Sequence, residues 1–488
     1  MQHVEPHLDP QDWPHTRTVG HAMLDDIMNR LEGACEGPAW RPMPREVVHS
    51  FKEPLPRKGE PLEAVHEAFK ARVMPYPTGN LHPRFFGWVV GNGTVTGMLA
   101  DMLAAGLNPH MAGFNQAPPH VERQVLRWFA ELLGFPLESS GVLTAGGSAA
   151  NLNGLAVARQ IKAGFDVGEA GLHEGPRLTV YGSNQTHSWV QKACALMGLG
   201  RTGFRQVRVD QHYRLDIKAC RDLIEKDLAE GYRPFCVIGS AGTTNTGSID
   251  DLPALRKLAD DYNLWFHVDG ALGSLAALTP NYSHLVQGQE LADSLAFDLH
   301  KWGYLPFGVA CILVRDATAH KATFAERPAY LVSSRRGVAV DTTYFADRGL
   351  ELSRGFRALK VWMALKHQGV DLLGQVIEKN IRQTMLLSAL VQAADDLELL
   401  APAALNVVCF RYNPGGLDTQ SLDKLNQEIV IKVQERGLAV TSQTVLKEKF
   451  AIRVCIANHR TRDRDLHELV DGIRSIGREL TQHEPRIN

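Results

Sequence analysis

Between residues 120 and 315 short apolar runs alternate with helical patterns, and this alternation restricts the fold more than any other feature. The runs are LTVY (178–181), FRQVRV (204–209), FCVIG (235–239), LWFHV (264–268), DSLAF (293–297) and ACILV (310–314). Helical stretches such as Leu215–Glu230 and Leu252–Tyr262 separate several of them, and a helix with Val121, Val125, Phe129 and Leu132 on one face leads in. Strand–helix alternation predicts an α/β domain with a mostly parallel sheet and helices on both faces. Residues 352–368 place Leu352, Phe356, Leu359 and Leu365 on one stripe before Gly369. A smaller α+β lobe is expected beyond it, with strands near NVVCFR and AIRVCI and a last helix carrying Leu466, Leu469, Val470, Ile473 and Ile476. The first eighty residues offer two candidate helices, Val19–Gly33 and Pro61–Val73, between proline-rich pieces. Such a segment buries little by itself, so it is expected to pack on the main domain or on a partner subunit. The expected organisation is an N-terminal helical extension (1–80), a large domain (81–375) and a small C-terminal domain (376–488).

Composition excludes several function classes. Fifty-two Lys and Arg stand against 54 Asp and Glu, a formal net charge of −2, which offers no electrostatic case for nucleic acid or an anionic membrane. Seven cysteines, an odd count without a CxxC pair, argue against a disulfide framework or a structural metal site and for a reducing cytoplasm. The polar, proline-rich start MQHVEPHLDPQDWPH lacks the apolar core of a signal peptide. Gly87–Leu107 is mostly apolar, but Asn92, Asp101 and five glycines make it a buried loop and helix rather than a membrane span.

Chemistry-bearing residues follow the predicted strands. In FDLHKWGY, Lys301 comes just after an apolar run, where a buried amine either finds a partner or loses its proton, as lysines that capture carbonyl groups do. TAGGSAAN opens a helix with Gly146, Gly147 and Ser148, an anion seat or an ordinary strand–helix turn. HVDGALGS puts Asp269 after a strand, as a helix cap or facing a cationic ring nitrogen, and SNQTHSW puts His187 after LTVY, as a structural or surface histidine or a functional one. Thr243 and Thr244 follow FCVIG. Open α/β sheets gather ligands at the C-terminal ends of their strands. A phosphate seat, a histidine to cover a ring, a carboxylate and an amine are together the needs of pyridoxal 5'-phosphate.

HVDGALGS, FDLHKW, TAGGSAAN, THSW and GTTNTGSIDD resemble the group II pyridoxal-phosphate decarboxylases, the family of aromatic-L-amino-acid, histidine, glutamate and cysteine-sulfinate decarboxylases. The resemblance runs from HPRFFGW (82–88) through LADML (99–103) and SRGFRALK (353–360) to FAIRVCIAN (450–458). It implies the fold type I of pyridoxal-phosphate enzymes, with an aspartate-aminotransferase-like large domain. It also implies decarboxylation of an L-amino acid and a homodimer whose N-terminal extension wraps the partner. Lys301 then matches the lysine that holds the cofactor's aldehyde, Asp269 the ring-nitrogen partner and His187 the histidine stacked on the ring. Gly147, Ser148 and His300 match the phosphate site, and Thr244 a threonine near ring and substrate. Arg453 matches an arginine that binds a substrate carboxylate, or is a strand-edge arginine. Phe86 and Trp88 lie where aromatic members line the side-chain pocket, so an aromatic or bulky apolar substrate is expected, with an acidic one as the alternative. Asp298 departs from an asparagine common in the family, and an acid beside a phosphate is expected to point elsewhere. Counted back from SRGFRALK, the position of the family's proton-donating tyrosine falls on Phe345, and a one-residue slip restores a tyrosine, Tyr344, which is taken as the acid; phenylalanine there resembles the aldehyde synthases.

Overall fold

The computed structural model describes residues 5–173, 175–326, 336–340 and 344–483. Its larger sheet contains β1 (Ser140–Thr144), β2 (Leu178–Ser183), β3 (Phe204–Val207), β4 (Arg233–Ser240), β5 (Trp265–Asp269), β6 (Ser294–Asp298) and β7 (Ala310–Val314). Their spatial order is β1-β7-β6-β5-β4-β2-β3. β6, β5, β4, β2 and β3 run parallel, and β7 runs against both β6 and β1. All residues of β1, β2, β5, β6 and β7 are buried. Covering on both faces is why these strands read as unbroken apolar runs rather than alternating ones.

The smaller sheet is wholly antiparallel, in the order β10-β11-β9-β8, from β8 (Leu397–Leu399), β9 (Val407–Tyr412), β10 (Ser442–Leu446) and β11 (Lys449–Cys455). The helices Thr419–Glu435 and Asp463–His483 close a second core with it, built around Phe410, Ile452, Val454, Ile429, Leu469 and Ile473. All five apolar positions anticipated on the last helix are buried.

Two local expectations are corrected. The stripe expected over 352–368 becomes a helix only at Ala358–Gln368, and Leu352 is exposed. Residues before it are drawn out of helical geometry because Arg354 turns inward, donating to Glu122 Oε1 (2.6 Å), Leu143 O (2.7 Å) and Met111 O (3.1 Å). Phe86 is not at a pocket. It is fully buried in the second core, where its amide donates to Val440 O (2.7 Å) and its carbonyl accepts from Cys455 N (2.9 Å). The chain therefore pairs with Val440 and with the end of β11 before it reaches the larger sheet. Gly87–Leu107 resolves into a loop and the helix Val95–Leu107, capped by the Thr94 hydroxyl on Gly97 N (3.2 Å). Among the described residues no helix is long and apolar enough to cross a membrane.

Candidate active site

β1, β2, β4, β5 and β6 point the same way, so their C-terminal ends open on one cleft of about 610 Å³. Each strand delivers polar groups there: Gly147 and Ser148 after β1, His187 after β2, Thr243 and Thr244 after β4, Asp269 ending β5, and Asp298, His300 and Lys301 at and after β6. The reversed β7 lies between β1 and β6 and returns the chain without interrupting this rim.

The helix Gly147–Lys162 starts at the cleft with Gly146 as its N-cap and no side-chain cap, leaving its first amides for an anion. A Cβ on Gly147 would stand 2.8 Å from an Asp298 carboxylate oxygen, so glycine is what keeps this approach open. Asn151, one turn on, donates to Gly147 O (2.8 Å) and accepts at Oδ1 from His267 Nε2 (2.7 Å), while His267 Nδ1 accepts from the Ser294 hydroxyl (2.8 Å). His267 is fully buried and lowered to about 4, by desolvation first, so at neutral pH it is an uncharged bridge from β5 and β6 to the helix start. Asn153 makes a second bridge through His320 Nε2 (3.0 Å), whose Nδ1 faces Ser140 Oγ (2.9 Å). Sequence reading passed over Asn151; its place in TAGGSAAN, four residues after Gly147, was the available signal.

Asp269 is buried, and Oδ2 accepts from Trp189 Nε1 (2.6 Å) and Oδ1 from Ala271 N (3.1 Å). These two donors aim the carboxylate into the cleft. Trp189, the last residue of THSW, also donates its amide to His187 Nδ1 (3.2 Å), which leaves the proton on Nε2. Burial lowers the His187 pKa, outweighing the nearby Asp269, so its ring is neutral and suited to lying on another flat ring.

Lys301 Nζ stands 2.7 Å from Asp298 Oδ2. Asp298 thus does not point away from the cleft as expected. It is buried at the end of β6, where the strand direction turns its side chain toward the lysine three residues on, and its Oδ1 has no partner. His300 Nδ1 donates to Val309 O (2.8 Å), and burial lowers its pKa ahead of the opposing effect of Asp298. A Cβ at Gly91 would meet His300 O at 1.7 Å, so the segment after Trp88 crosses directly over the lysine's backbone.

Of the remaining anticipated residues, Thr244 and Trp88 line the cleft with Phe307 and Leu272, whereas Arg453 lies behind its wall, bonded to main-chain carbonyls. Tyr344 is not at the cleft. Its ring stands over Gly113 and edge-on to Phe114 (6.4 Å), where the loop's end is docked by Phe345 N donating to Ala112 O (2.6 Å). Phe345 is fully buried, with the Arg354 and Arg348 guanidinium groups 5.2 and 5.4 Å from its ring centre, so it faces core rather than substrate. Among the described residues no three His, Cys, Asp or Glu side chains form a metal site.

An uncapped helix start, a buried carboxylate aimed by two donors, a neutral histidine and an amine on one rim suit a phosphorylated, cationic aromatic ring bearing an aldehyde. The comparisons agree with that chemistry. A pyridoxal-dependent decarboxylase conserved domain matches residues 44–413. An aromatic-L-amino-acid decarboxylase of Bacillus atrophaeus is 34% identical over 96% of this chain and 97% of its own length. A phenylacetaldehyde synthase of Arabidopsis thaliana is 30% identical over 94% and 95%. A solved structure of Oryza sativa TDC with PLP and tryptamine superposes with a TM-score of 0.89 at 25% identity, covering 97% of this chain and 100% of that one. The protein, with its fold type I sheet and its lysine at the rim, belongs to the pyridoxal-dependent decarboxylase family.

Proposed function

We propose that the protein removes the α-carboxylate of an aromatic L-amino acid as CO2 and releases the corresponding amine. The observation that carries the substrate class is the cleft's apolar side, formed by Trp88, Phe307, Leu272 and Val89. Among the described residues the basic side chains on the lining besides Lys301 are His187 and His300, both lowered by burial, which disfavours an acidic side chain. Relatives named for aromatic amino acids, tryptophan and tyrosine support the same choice.

When bound, pyridoxal phosphate supplies the electron sink that takes up the pair left by the broken bond to CO2. The first amides of Gly147–Lys162, with Ser148, would hold its phosphate, and Lys301 its aldehyde carbon. Asp269, fixed by Trp189 and Ala271, would keep a proton on the ring nitrogen, an electrostatic role strengthened by burial. His187 would cover one face, and Thr244 would border the substrate. Asp298 would keep the Lys301 amine at the rim.

A proton must also reach the substrate's Cα. Among the described residues no tyrosine lines the cleft; besides Tyr344, the stretch between Phe324 and Phe345 contains Tyr330, which lies outside the described residues. Proton delivery is therefore assigned to this stretch, with both tyrosines as candidates. The synthase relative keeps aldehyde formation as the second reading.

We further propose a cytoplasmic homodimer in which residues 1–80 wrap the partner. The helix Trp13–Glu32 buries only Val19 and the helix Leu62–Arg72 only His66, while Trp13, Phe51, Leu55, Phe69 and Val73 are exposed. All seven cysteines are free thiols, as suits a reducing compartment.

The test is a product screen of purified, cofactor-loaded protein with a mixture of L-amino acids, read by mass spectrometry. Aromatic amines are expected; an amine from an acidic amino acid refutes the substrate class. Aldehyde with hydrogen peroxide selects the second reading, and neither product from visibly yellow protein refutes the reaction.

A further inference from the structure

Arg453 sits at the middle of β11, paired with Ser442 of β10 and Cys409 of β9, and is 3% exposed. Its guanidinium crosses from the small domain to two segments of the large one. Nε donates to Thr244 O (2.8 Å) and Asn245 O (3.1 Å). Nη1 donates to Trp88 O (2.8 Å) and contacts Ser442 Oγ (3.2 Å). Among the described residues no carboxylate lies within ion-pair distance of it; Nε and Nη1 are held by main-chain carbonyls and the Ser442 hydroxyl, while Nη2 is buried without a hydrogen-bond partner.

Trp88 is the residue that needs holding. Its φ is +50°, in the left-handed region that bulky side chains avoid, and the residue is 57% exposed and lines the cleft. Strain of this kind persists only where surroundings over-determine it. Phe86 is bonded to Val440 and Cys455 just before it, and Gly91 lies against His300 just after. The remaining freedom at residue 88 is the rotation of its own peptide group, whose oxygen Arg453 holds. The same side chain holds the carbonyl of Thr244, which also lines the cleft.

We infer that Arg453 is a positioning residue for the substrate's side chain: it clamps Trp88 and Thr244 to each other across the cleft wall and does not bind the substrate carboxylate. The inference deepens the proposed aromatic decarboxylation and rests on that reading for the substrate. It replaces the carboxylate-binding role expected for Arg453, because Nε and Nη1 are committed to main-chain carbonyls and the side chain, its unpartnered Nη2 included, is buried outside the cleft lining.

The experiment compares native protein with Arg453→Lys, Trp88→Ala and the double variant, measuring KM and kcat for the aromatic substrate. It also measures Ki for the corresponding amine, which keeps the side chain but lacks the carboxylate. Arg453→Lys is expected to raise KM and Ki together, by about ten-fold as for loss of one well-placed contact, with kcat much less affected. In the Trp88→Ala background the same substitution should change both by less than about two-fold, because neighbours acting as a unit are not additive. A rise in KM with unchanged Ki overturns the clamp in favour of carboxylate binding. An effect undiminished by Trp88→Ala, or no effect at all, also overturns it. If Arg453→Lys loses the absorbance of bound cofactor, Arg453→Gln decides, since an amide cannot reach the carbonyls of Thr244 and Trp88 together. KM and Ki raised together in Arg453→Gln support the clamp; a raised KM with unchanged Ki, or no change in either, refutes it. Native protein that produces no amine fails the functional reading instead, a result visible before any variant is compared.

Discussion

Acidification should destabilise this protein through imidazoles that have no contact with substrate. His320 is fully buried in the helix Ala317–Phe324, with Nε2 donating to Asn153 Oδ1 (3.0 Å) and Nδ1 accepting from Ser140 Oγ (2.9 Å). Desolvation, helped by the Arg348 charge, lowers its pKa to about 3, whereas an unfolded imidazole titrates near about 6.5. The unfolded chain thus takes up the proton first, so stability is present above pH ~6.5 and is lost as pH falls from there toward about 3. At pH ~5 the unfolded imidazole is ~1.5 units below its pKa, and at ~1.4 kcal/mol per unit His320 alone removes about 2 kcal/mol. His267, lowered to about 4, acts in the same direction. The assay is urea unfolding of cofactor-free native protein and His320→Gln at pH ~7.5 and ~5. The amide keeps one donor and one acceptor for Asn153 and Ser140 but cannot titrate. The variant should lose about 2 kcal/mol less than native protein on acidification. Equal losses, within about 0.5 kcal/mol, would refute the claim that burial holds His320 neutral.

Three other outcomes follow from the site and its supports. Arg354→Met leaves Glu122 buried without its guanidinium partner (2.6 Å) and should lower stability by about 3–5 kcal/mol, read as a fall in Tm. Lys301→Ala should abolish the yellow absorbance of bound cofactor while leaving the far-UV circular dichroism native; unchanged absorbance would mean another lysine captures the aldehyde. Tyr330→Phe and Tyr344→Phe, compared by mass spectrometry of products, should identify the proton donor as the variant in which amine formation falls at least about ten-fold, the low end for a catalytic proton transfer.

Much of the site was legible one strand at a time. His187, Asp269 and Lys301 each follow an apolar run, and Gly147 and Ser148 open a helix, so local pattern and residue chemistry pointed to them. Covering by helices on both faces made those runs continuous, and continuity made them visible. Less was legible where an orientation was needed. Asp298 was expected to avoid the cleft, but the end of β6 aims it at Lys301. Phe345 could be weighed as a substrate neighbour only until its burial beneath Arg354 was seen.

The chain's own order of residues thus determined which chemistry exists, because an amine, a carboxylate and a glycine turn are local properties. Tertiary structure decided what each of them faces. The reversal of β7, the bridge from Ser294 through His267 to Asn151, and the hand of Trp88 at the cleft all depend on partners far away in sequence. Arg453 shows the reason most clearly. A strand-edge arginine and a substrate-binding arginine have the same local pattern, and only the arrival of Thr244 O, 209 residues away, and Trp88 O, 365 residues away, commits its Nε and Nη1.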